Sequence, residues 1–189
     1  MKLVIQAGKW KGKSIPTPPE IKGHSHFTPA NLKKACFSIL ESAHLEGSID
    51  KSTSLFVDLC AGSGQVGLEA ISRGWRQAYL VELARERFRA LRKVVGKYAA
   101  EITLYNRDAF RFSLPESPDW CTSICYFLDL PYSFWQTKAR EISKLLTRLQ
   151  EEMDAKNYIF LVQSHTSLQR SDFEEKKYGN NYLSVYRKI

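Results

Sequence analysis

The chain has 189 residues, 43% of them hydrophobic, and a formal net charge of +8. That size fits one globular domain with a real core and a small appendage. No apolar run approaches the roughly 18 residues of a membrane helix, and the start lacks the apolar stretch of a secretory signal, so a cytoplasmic location is expected.

The charge is uneven. Residues 1–34 hold seven lysines against the single acid Glu20, whereas the remaining chain is nearly balanced. A basic head suits a phosphate-facing surface. Its "AGKWKGK" interleaves Lys9, Lys11 and Lys13 with Trp10 and glycines, a composition that suits RNA or DNA as well as a merely solubilising face. Cys36, Cys60, Cys121 and Cys125 form no compact cluster with His24, His26, His44 or His165, so reduced thiols and no metal site are expected.

"KLVIQAG" and "GKSI" predict a short hairpin, followed by a proline-rich loop. The first helix is predicted over 28–44, with Thr28 as N-cap and Pro29 in the first helical position. Leu32, Ala35, Cys36, Ile39, Leu40 and Ala43 make its buried stripe, with Lys33 and Lys34 on other faces. Strand and helix then alternate: strand 54–59, helix 65–73, strand 77–83, and a helix over 84–97 that buries Phe88, Leu91 and Val95. A strand over 101–106, a loop over 110–120 and a strand over 123–129 come next. The helix 138–153 turns Ile142, Leu145, Leu146, Leu149 and Met153 inward, strand 157–164 follows, and two strands around "YGNN" close the chain. The pattern is α/β: a mostly parallel sheet with helices on both faces and a terminal antiparallel hairpin.

"FVDLCAGSGQVGLEA" sets Asp58 at a strand end and then Gly62, Gly64 and Gly67. Such a turn lets the backbone approach a ligand closely. Glu82, 20 residues past Gly62 at the next strand end, can accept both hydroxyls of a ribose. Ala61 and Leu83 flank these positions. Asp108, after the third strand, can accept from an adenine amine, with the Ala109 N–H at the ring edge. These residues predict an adenosine-containing cofactor. S-adenosylmethionine is favoured over a nicotinamide cofactor because Asp58 can help neutralise an α-amino group, and because the turn begins beyond residue 50. The nicotinamide alternative stays open on the glycines alone.

"AGKWKG", "DLCAGSGQVGLEAISRG" with "LVE" behind it, "DLPY" and "KKYGNNYLSVYR" occur in this order over nearly the whole chain. Together they resemble the bacterial small-subunit ribosomal RNA guanine-N2 methyltransferase family. The resemblance implies a class I S-adenosylmethionine-dependent methyltransferase, Rossmann-like, with a seven-stranded sheet over 28–189 and a basic N-terminal extension over 1–27. It implies S-adenosylmethionine as donor, bound by Asp58, Gly62, Gly64, Glu82 and Asp108. The acceptor would be a flipped guanine in 16S ribosomal RNA or a small-subunit assembly particle, met by a monomer. The family's catalytic motif falls on Asp129, Leu130, Pro131 and Tyr132. Three departures stand out: Leu130 replaces a proline, His26-Phe27-Thr28 replaces Arg-Pro-Thr, and Lys33-Lys34 replaces an Arg-Glu pair.

A guanine amine is a weak nucleophile because its lone pair is delocalised into the ring. Acceptors that hold both its hydrogens orient that lone pair and stabilise the developing positive charge. The Asp129 carboxylate and the Leu130 carbonyl are the candidates, with Pro131 stiffening the turn and Tyr132 stacking on the base. Phe134 and Trp135 extend this aromatic wall or pack the core. Two alternatives remain: a catalytically weak or inactive methyltransferase-fold RNA-binding protein, and methylation of another exocyclic base amine.

Overall fold

A computed structural model describes residues 3–17, 28–98, 100–152 and 156–188. The predictions for His24, His26, Phe27 and Met153 lie outside these residues. Two pairs of residues near the N-terminus form a small antiparallel hairpin, β1 (Leu3–Val4) and β2 (Ser14–Ile15). The other strands are β3 (Ser54–Asp58), β4 (Gln77–Val81), β5 (Ile102–Tyr105), β6 (Ser123–Asp129), β7 (Asn157–Ser164), β8 (Glu174–Tyr178) and β9 (Asn181–Lys188). They make one seven-stranded sheet in the order β5-β4-β3-β6-β7-β9-β8. The run from β5 to β7 is parallel, and β9 and β8 add the antiparallel edge. The predicted β6 and β7 bounds coincide with the observed ones, because both are apolar runs buried on both faces. β4 stops at Val81, two residues short of the expected end.

The helices are α1 (Ala30–Leu45), α2 (Gln65–Ser72), α3 (Arg85–Tyr98), α4 (Tyr132–Thr137) and α5 (Ala139–Glu152). On one face of the sheet, Leu32, Phe37 and Leu40 of α1 meet Phe56, Trp75 and Phe127. On the other, Ile142, Leu145 and Leu149 of α5 meet Tyr126, Leu128 and Phe160. Each such side chain contributes about 1.5–3 kcal/mol by leaving water. A third cluster joins Leu3, Ile5 and Ile15 of the head to Leu68 and Val94.

Four sequence expectations need correction. Thr28 does not cap α1: Pro29 occupies the cap position with no side-chain cap bond, and the Thr28 hydroxyl is turned to another partner. Lys33 does not lie on an outer face. It is 2% exposed, 3.2 Å from the fully buried Glu69 of α2, and donates to Val4 O. Burial lowers its pKa, partly offset by Glu69. Phe88 is only half-buried, while Val94 takes a core place through the head. Finally, α4 was not expected. Pro131 opens it, Trp135 is its one buried residue, and six residues are too few to show helical periodicity.

Candidate active site

The strand order reverses between β3 and β6, and a parallel sheet opens a crevice at such a point beyond its carboxyl edge. Asp58 and Asp129 end these two neighbouring strands, Glu82 follows β4, and Asp108 follows β5. Together with Gly62 and Tyr132 they line a single cavity of about 230 Å³.

The glycine turn is pinned from both sides. Leu59 N–H donates to Phe127 O on β6 at 3.0 Å, and Ala61 N–H to Val81 O on β4 at 2.9 Å. Gly64, just before α2, has φ +75°, a conformation other residues resist, and a Cβ there would fall 2.4 Å from Leu91 Cδ1. At Gly67 a Cβ would come within 2.2 Å of Leu80 Cδ2, so its role is to seat α2 against β4. Gly62 also has a left-handed backbone, φ +53°, but a Cβ there would meet only Cys60 O, at 3.8 Å.

Glu82 is nearly buried, and its carboxylate accepts from Gly62 N–H at 2.9 Å and from Ala84 N–H at 2.8 Å. It therefore ties the turn to the exit of β4. Each oxygen keeps acceptor capacity on the cavity side. Asn106 holds the backbone behind it, donating to Glu82 O at 2.7 Å and Leu83 O at 3.0 Å. Leu83 is 60% exposed at the cavity wall. Asp108 accepts from Phe110 N–H at 3.0 Å and caps a short 3₁₀ turn, Ala109–Arg111, which brings buried Ala109 to the lining.

Asp58 is sealed beneath the turn and accepts from Cys60 N–H at 3.3 Å. Burial pushes its pKa up to about 8, with Asp129 and Glu82 adding to the rise. Asp129 keeps part of its surface open. Burial raises its pKa to about 7, while a 2.9 Å hydrogen bond from the Thr28 hydroxyl opposes the rise. Gln65 of α2 donates to Thr28 O at 3.3 Å, so the entry to α1, the start of α2 and the end of β6 form one clamp.

Leu130 is 3% exposed and packs in the α5-side core, which anchors the turn where a second proline would otherwise stiffen it. Pro131 then opens α4. Tyr132 is 38% exposed at the cavity, its ring meeting His165 edge-on. Phe134 lines the cavity against Phe110, with ring centroids 6.0 Å apart, whereas Trp135 belongs to the core. Cys60, Arg87 and Arg107 also line the cavity. Sequence reading missed Thr28, Gln65, Asn106 and the two arginines as site residues. The retained threonine of the "HFT" stretch was the one available signal.

The head residues stand apart from the cavity lining. Lys9, Lys11 and Lys13 are exposed, and Lys9 lies 3.3 Å from Glu101. Trp10 packs partly against two core clusters, with the Lys9 ammonium 4.8 Å from its ring centroid. Glu69 fastens this head by accepting from Gln6 N–H at 2.7 Å and Ala7 N–H at 2.9 Å. Among the described residues, no group of three or more His, Cys, Asp or Glu is arranged to hold a metal ion, and no helix is long and apolar enough to cross a membrane.

The family described as conserved hypothetical protein 95 matches residues 3–187. The chain belongs to this family. That agrees with the resemblance carried by the glycine turn, "DLPY" and the terminal hairpin. Over 84 residues the chain is 38% identical to the uncharacterized methylase RP545 of Rickettsia prowazekii (strain Madrid E), a stretch covering 43% of this chain. The matching stretch spans about a third of that relative, 34% of its length. Among solved structures, yhhF of Escherichia coli superposes with a TM-score of 0.72 at 21% identity, covering 100% of this chain and 98% of that one. An RNA methyltransferase of Salinibacter ruber, in complex with S-adenosyl-L-homocysteine, superposes with a TM-score of 0.60 at 16% identity over 86% of this chain and 93% of that one. These likenesses establish the class I methyltransferase fold for the family member described here.

Proposed function

We propose that the protein transfers a methyl group from S-adenosylmethionine to the exocyclic N2 amine of a guanine in 16S ribosomal RNA, free or within a small-subunit assembly particle. The observation that carries this reading is the shared cavity, in which a glycine turn and Glu82 face Asp129, Leu130, Pro131 and Tyr132. The residues suit this cofactor. Glu82 is held with acceptor capacity toward the cavity, and Asp108 and Ala109 border it. The raised pKa values of Asp58 and Asp129 reflect buried carboxylates short of positive charge. A cationic ligand offsets that shortage, whereas a pyrophosphate would aggravate it.

Glu82 would hold the ribose hydroxyls, Asp108 and Ala109 the adenine, and Asp58 the amino-acid end, with Ala61, Gly62, Gly64 and Leu83 shaping the walls. When bound, S-adenosylmethionine supplies an electrophilic methyl group on a sulfonium. The Asp129 carboxylate accepts one amine hydrogen and the Leu130 carbonyl the other, which turns the nitrogen lone pair toward the donor side of the cavity. As the nitrogen bonds to the methyl carbon, the carbon–sulfur bond would break with its electron pair left on sulfur, giving neutral S-adenosylhomocysteine. Ionised Asp129 would stabilise the positive charge on nitrogen and take up the released proton or pass it to water. Tyr132 stacks on the flipped base, a contact of roughly 1–3 kcal/mol. Lys9, Lys11 and Lys13 of the head contact RNA phosphates as the protein acts in the cytoplasm. Burial of Leu130 in the core supports an active enzyme over an inactive RNA-binding relic, because packing holds the turn in place of the missing proline.

The test gives purified protein methyl-labelled S-adenosylmethionine and unmodified 30S particles, then digests the RNA to nucleosides. Label in N2-methylguanosine is expected. Label in N6-methyladenosine would move the reaction to another amine, and no label in RNA would overturn the reading.

A further inference from the structure

Two surface helices of equal length carry opposite charge patterns. α5 has three cations and three acids, and Arg148 pairs with Glu152 one turn on at 2.7 Å. α3 has six cations against the single acid Glu86. Leu91 and Val95 turn into the core, Val94 meets the head, and Arg85, Arg89, Arg92, Lys93 and Lys97 are exposed. Arg85, Arg89, Lys93 and Lys97 follow one another at four-residue steps, so they form one row along the helix.

Like charges at this spacing repel and weaken a helix, whereas a solubilising face normally mixes signs as α5 does. Among the described residues, no ion pair joins any of the four to a carboxylate. The row also borders a feature. A groove of about 230 Å³ runs between α3 and the exit of the head, lined by Pro16, Thr17, Lys93 and Lys97, and it reaches Gly62 and Ser63 of the glycine turn. Those two residues also line the active-site cavity.

We propose that the exposed face of α3 and this groove bind the phosphodiester backbone of single-stranded RNA flanking the target base. The inference rests on the RNA reading above and adds a binding element to it. Phosphates neutralise the repelling row, and their release of counterions makes binding steeply salt-dependent. The groove reaches the part of the glycine turn that also lines the catalytic cavity, so a strand held along α3 lies next to the cavity where a base enters beside Tyr132.

The test titrates a fluorescein-labelled single-stranded oligoribonucleotide over a range of KCl concentrations. The variant R89Q/K93Q/K97Q keeps good helix-forming residues. Its dissociation constant should rise about tenfold or more, and the log–log salt slope should fall by about 2, since each lost contact to a single strand removes about 0.7. An unchanged thermal midpoint reports an intact fold. The control R140Q/K144Q on α5 should keep the wild-type slope. A wild-type slope in the α3 variant overturns the proposal, and so does an equal loss in the α5 control. If wild-type protein binds the oligoribonucleotide with the predicted α3 dependence but transfers no label, the methylation reading alone fails. Wild-type binding to anionic vesicles but not to RNA overturns this proposal, whereas the methylation reading still stands or falls with the label in 30S particles.

Discussion

Asp58 and Asp129 close adjacent strands of the same parallel sheet, yet their surroundings differ. Asp58 lies under the glycine turn, bonded to Cys60 N–H, with its pKa raised to about 8. Asp129 opens partly to the cavity, is held by a side chain from the entry to α1, and has its pKa raised to about 7. A carboxylate buried beneath the turn and bonded to backbone N–H is suited to shape a binding site. One that is reachable, and tuned by a side-chain hydroxyl, is suited to act on a substrate. On the function proposed above, the β3–β4 side of the crevice would serve the cofactor and the β6 side the acceptor amine.

Changes on the two sides should separate two measurable quantities. The largest effects are expected at the strand ends. Asp129→Ala should lower single-turnover transfer by about 100–1000-fold, the usual cost of removing one preorganised stabilising group. Glu82→Ala should instead weaken cofactor binding by about 100-fold or more, because the carboxylate both ties Gly62 and Ala84 and would hold the ribose.

The next effect is pH dependence with RNA limiting. In the proposed mechanism ionised Asp129 stabilises the positive nitrogen and takes its proton, whereas the protonated form is a weaker acceptor that can do neither, so transfer should fall as pH drops through about 7. A single ionisation there makes the rate at pH 6 about a tenth of that at pH 8. A positive charge in the cavity lowers the midpoint further, so a midpoint above 8 would contradict the assignment. Smaller again is Thr28→Val, which keeps the shape and removes the hydroxyl. Loss of a hydrogen bond that favours the charged form should move the same midpoint upward and slow transfer at neutral pH by about tenfold. A merely structural threonine would lower stability without moving the pH profile.

Much of this division is legible in the sequence. Apolar runs ending in Asp58 and Asp129, the glycine spacing and the delayed Glu82 all reflect local rules of strands and turns. The clamp was hidden because its partners, Thr28 and Asp129, are 101 residues apart. Thr-Pro before a helix reads locally as a cap, and only tertiary packing redirects that hydroxyl. Lys33 illustrates the same limit: helical periodicity turns it outward, while Glu69 on another helix supplies the buried charge that draws it in. Glu82 was expected to face a ribose, but its two backbone donors become visible only when β4 lies beside the turn.

The central claim is tested most directly by measuring transfer rate and cofactor affinity on the same preparations of Asp129→Ala and Glu82→Ala. Asp129→Ala should bind S-adenosylhomocysteine within about threefold of wild type while losing at least about 100-fold in transfer at saturating cofactor. Glu82→Ala should lose cofactor affinity first. Equal losses of affinity in both variants, or near-wild-type transfer by Asp129→Ala, would contradict the account.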